Sequence, residues 1–62
     1  MSPNRLVVFY VDGARYEAPE AWMMGAHWVR VRRGMDEKAA YLDAMRHWAE
    51  QQILAAEHEA NH

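Results

Sequence analysis

Asp43, His47 and Glu50 stand four and three residues apart, so on a helix their side chains share one face. A carboxylate, an imidazole and a second carboxylate are donors that suit a divalent ion. Three features argue for an ordinary polar face instead. The trio is expected to face water, no second histidine follows at helical spacing, and Arg46 competes for the acids. No metal and no other cofactor is therefore expected. Covalent catalysis lacks parts as well: Ser2 is the only serine, and the chain has neither threonine nor cysteine. Gly13, Gly25 and Gly34 are isolated and cannot form a phosphate loop. The chain is not expected to be an enzyme.

The residue types that remain are those of a binding surface. Trp28, Arg30 and Arg32 alternate within "HWVRVRR", and Trp and Arg dominate binding hot spots because one buries large area and the other forks onto carboxylates. The same set could stack a base and grip phosphates, or simply guard an exposed edge strand with charge. Trp22, Met23 and Met24 are adjacent. Such a cluster either folds inward to close a small core or anchors in a partner, since methionine adapts to irregular surfaces. Leu54 falls on the polar side of a helix, where a single leucine needs no explanation.

These residues must be positioned by few elements. "RLVVFYVDGARYEAP" reads as two strands, about 5–11 and 14–18, joined by the Asp12-Gly13 hairpin dipeptide. A two-residue loop places Val7, Phe9, Val11, Ala14, Tyr16 and Ala18 on one apolar face. Leu6, Val8, Tyr10, Arg15 and Glu17 take the other. "PEAWMMGA" reads as a loop or single turn between Pro19 and Gly25. The alternation of 27–33 predicts a third strand, with Val29 and Val31 opposite Trp28, Arg30 and Arg32. Asp36 is a candidate N-cap for a helix over about 36–58. Its apolar stripe is Tyr41, Leu42, Met45, Trp48, Ala49, Ile53 and Ala56.

The expected fold is thus α+β: a small three-stranded, mostly antiparallel sheet packed on one long C-terminal helix, within a single domain spanning 1–62. One helix covers one sheet face. Leu6, Val8, Tyr10 and Trp28 are left on the other, and are the expected dimer interface. Tyr10, Trp22, Met23, Met24, Trp28, Arg30 and Arg32 are the candidate binding residues.

With 62 residues the core is near the lower limit for independent folding. The formal charge of −2 conceals an asymmetry. Residues 1–34 carry five arginines against three carboxylates, and residues 35–62 carry two bases against six. That pattern does not make a global nucleic-acid binder. The absence of cysteine fits a reducing compartment, and the longest apolar run is far too short to span a bilayer. A cytoplasmic protein without a membrane contact is expected.

The stretch "VVFYVDGARYEAPE" is similar to the first hairpin of ubiquitin-like folds. Those folds add strands after their long helix, whereas here the long helix comes last, and no function is carried over. In size and layout the chain resembles small phage- or mobile-element-encoded accessory proteins, anti-CRISPR proteins among them. That resemblance implies a homodimeric inhibitor that occludes a surface on a host machine. The alternatives are a nucleic-acid-binding regulator using 27–33 and a structural phage adaptor subunit.

Overall fold

The computed structural model describes residues 5–60. Strands β1 (Leu6–Val11) and β2 (Ala14–Pro19) are followed by helices α1 (Glu20–Arg32) and α2 (Glu37–Ala60). The arrangement is α+β, with a two-stranded antiparallel sheet on two helices.

The hairpin follows from its turn. Asp12 at φ 51° and Gly13 at φ 83° supply the two left-handed residues that a type I′ turn requires. Val11 then faces Ala14, Phe9 faces Tyr16 and Val7 faces Ala18. Phe9 and Ala18 are buried, and Val7, Val11 and Tyr16 pack against them, so the expected inner face is the inner face except at Ala14, which is exposed beside the turn.

The third strand does not form. Residues 27–33, expected to be extended, belong to α1 except for Arg33, and the expected loop before them is its first half. The sequence alternates there, but the side chains that reach the core are Trp22, Met23, Ala26 and His27. These recur at helical spacing, and they outweigh the β-preference of Val29 and Val31. Among the described residues the sheet has only its two strands, so β1 keeps a free edge. Gly25, read as a break, lies inside the helix.

The end of α1 is well specified. Gly34, at φ 99°, donates to the Val31 carbonyl, and the Met35 amide reaches back to that of Arg30 at 3.1 Å. This is the Schellman pattern, which uses up carbonyls the helix would otherwise leave open. Two residues later Asp36 accepts from the amides of Lys38 and Ala39 and caps α2.

The helices run antiparallel: Trp22 meets Trp48, His27 stacks on Tyr41, and Arg30 binds Asp43. Ala40 and Ala44 are wholly buried, so small side chains let the helices approach. The core is correspondingly thin. Phe9 and Met23 are its only buried large apolar side chains among the described residues, each worth about 1.5–3 kcal/mol.

The stripe expected on α2 is only partly used. Tyr41, Met45, Trp48 and Ala49 turn inward, but Leu42, Ile53 and Ala56 are exposed, as is Leu54. The reason is geometric. At 13 residues α1 ends alongside the first half of α2, and every residue from Glu50 to Ala60 is exposed.

Candidate protein-interaction surface

Folding 27–32 as a helix rearranges the residues singled out in the sequence. On a strand, Trp28, Arg30 and Arg32 would point the same way. On α1, Trp28 and Arg32 remain together at a spacing of four, while Arg30 turns towards α2. Its Nε donates to an Asp43 carboxylate oxygen at 2.6 Å and its Nη1 to the Ala26 carbonyl at 3.0 Å. Hydrogen bonding from Arg30 is the main cause that holds the Asp43 carboxyl below its ordinary range, with the Arg30, Arg46 and His47 charges adding to it against desolvation.

Trp22 and Met23 also turn inward. Met23 is core, and Trp22 lies tilted against Trp48 at 4.9 Å and parallel to the His47 ring at 6.1 Å. Asp43 and His47 are thereby engaged elsewhere, and no group of three metal-capable side chains forms among the described residues. Met24 points outward, its Sδ accepting from the Tyr41 hydroxyl at 3.3 Å.

What results is a solvent-facing side of α1 with an unusual composition. Ala21, Met24, Gly25, Trp28 and Val29 are all exposed, and the first charge along this line is Arg32. Trp28 keeps 47% of its surface open. A surface helix normally presents polar groups here. Val29 and Gly25 belong to this face but were not recognised in the sequence. The signal is the i, i+3, i+4 spacing of 21, 24, 25 and 28, hidden by the alternation of 27–33.

A second apolar surface lies on the hairpin. Leu6, Val8 and Tyr10 project from the outer face, Tyr10 with 66% of its surface exposed. Their cross-strand neighbours are Pro19, Glu17 and Arg15, the last two joined in an ion pair at 2.8 Å. Trp28 is on α1 and does not join this group through a common sheet, so the four residues expected to form one interface are split between two elements.

A shallow groove by the hairpin turn is lined by apolar Val11, Ala49 and Ile53 together with Asp12, Arg46 and Glu50. Among the described residues no helix is long and apolar enough to cross a membrane. No family model, curated protein or solved structure matches the chain.

Proposed function

We propose that the chain is a non-enzymatic, cytoplasmic protein-binding module that works by steric occlusion, with the outer side of α1 as its contact surface. The observation that carries this reading is the unbroken apolar line from Ala21 to Val29 on a helix face open to water. Met24 and Trp28 stand at the spacing by which a helix anchors in a groove. Arg32 and Arg33, both exposed, follow at the same end of the helix. They suit a groove with an acidic rim, since Arg binds carboxylates through two parallel hydrogen bonds. Trp28 would be the hot spot and Arg32 the residue that sets orientation. The size and layout fit an inhibitor carried by a phage or mobile element and directed at a larger host machine.

The test is affinity capture from a bacterial lysate, with the captured protein then purified for titration. Trp28→Ala is expected to weaken binding about thirtyfold, the effect of losing a typical hot spot. Arg32→Glu should weaken it in a salt-dependent way, and Lys38→Ala should leave it unchanged. Wild-type affinity in both the Trp28 and Arg32 variants would overturn the assignment. So would tight duplex binding that collapses between low and moderate salt, the signature of a nucleic-acid protein.

A further inference from the structure

The hairpin has two edges, and they are not alike. The Glu20 amide donates to the Arg5 carbonyl at 2.9 Å, which makes Arg5 and Glu20 a hydrogen-bonded pair. Antiparallel alternation then assigns Val7, Phe9 and Val11 to bonds with β2. The N–H and C=O groups of Leu6, Val8 and Tyr10 therefore point away from β2, towards the free edge of β1. Outside the hairpin these three have no backbone partner among the described residues. On β2 the outward-pointing positions are Arg15, Glu17 and Pro19. Proline there has no N–H to offer, and the Arg15–Glu17 ion pair flanks the remaining positions. One edge is closed by the usual devices against strand addition, and the other has none of them.

We propose that a second copy of this chain adds antiparallel across β1, with a two-fold axis at Val8, to make a continuous four-stranded sheet β2-β1-β1-β2. This register sets Leu6 opposite Tyr10 of the second copy and Val8 opposite Val8, and it is the one that uses all three outward-pointing residues on each strand. The apolar rows of Leu6, Val8 and Tyr10 become neighbours, with the Arg15 and Glu17 rows outside them. Charge favours a second copy over an arbitrary strand. β1 begins beside Arg5, which pairs with Glu20 at 3.2 Å yet stays largely exposed, and ends at Asp12, so antiparallel self-pairing brings this arginine of each strand to the acidic turn of the other. The surface of the molecule points the same way. Its accessible area is 4987 Å², against about 4,200 Å² for a compact monomer of this mass.

This inference is independent of the α1 contact surface, and the experiment separates the two. The full chain is followed by light scattering through a dilution series, with amide hydrogen exchange at high and low concentration. The expected result is a dimer in which the Leu6, Val8 and Tyr10 amides exchange slowly and become fast on dilution. Val8→Lys, which leaves the backbone bonds within the hairpin untouched, sets two like charges face to face. It should raise the dimer dissociation constant by about tenfold or more without loss of helical signal. Val8→Pro removes the donor on the axis and should also give monomer. Trp28→Ala should leave the dimer intact. A monomer at all concentrations overturns the proposal. So does a dimer with fast-exchanging Val8 amides, or one broken by Trp28→Ala and not by Val8→Lys.

Discussion

His27 is the residue whose surroundings least match its chemistry. It is 3% exposed, its ring stacks on Tyr41 at 4.1 Å and meets Trp28 edge-on at 5.0 Å, and neither ring nitrogen has a partner among the described residues. Buried polar atoms are nearly always hydrogen-bonded, and leaving one unmet costs about 1–3 kcal/mol. The imidazole serves here as a flat aromatic filler. His27→Phe keeps the stacking and removes the orphaned nitrogens. It is expected to raise stability by about 1 kcal/mol, which is about 4–8 °C in a domain of this size. Thermal denaturation followed by circular dichroism measures it; a lower melting temperature would mean that the nitrogens are satisfied in solution. Sequence could not reveal this residue. A histidine among Ala26, Trp28 and alternating valines reads equally well as a surface group, and only the turn of α1 carries it inward.

At the scale of elements, the hairpin and α2 were legible because each is fixed by a local signal. Asp12-Gly13 dictates the turn and register, and Asp36 caps the helix that follows. α1 was not legible, because two local signals misled: the alternation of 27–33 and the glycine at 25. Tertiary burial of Met23 and His27 overrode both. Gly25 remains a local weakness. A Cβ added there would meet nothing within 4 Å, and its φ is not in the left-handed range. Gly25→Ala is therefore expected to stabilise the fold by about 0.5–1 kcal/mol through backbone entropy alone. Urea titration should show a higher midpoint at unchanged slope. The same methyl group lies on the proposed contact face, so a variant that melts later yet binds its partner less well would show that the glycine is kept for close approach. Of the candidate site, Trp28 and Arg32 were legible as a pair, because residues four apart share a side in a helix as they do in a strand; Met24 was named only with its neighbours Trp22 and Met23 in an expected loop, and the helix that joins it to Trp28 was missed. Arg30 was not legible, because a spacing of two keeps a side in a strand and loses it in a helix.

The whole molecule is thin and extended. Its radius of gyration is 12.9 Å, against about 11 Å for a compact chain of this length. The core rests on a few side chains, with Ala18, Ala40, Ala44 and Ala49 supplying closeness rather than apolar area. Association should then contribute visibly to stability. If β1 pairs with a second copy, the melting temperature rises with protein concentration, because mass action favours the folded dimer. A melting temperature that stays constant over a hundredfold range (about 2.7 kcal/mol of possible linkage) would indicate a fold that stands alone. The free end of α2 has a practical consequence for such work. With principal extents of 39 × 30 × 21 Å, a single chain tumbles slowly and leaves a sizing column early, in the position of a heavier globule. Elution volume alone would thus imitate a pair of chains; absolute mass, or the ratio of sedimentation to diffusion, is what can tell one long particle from two short ones.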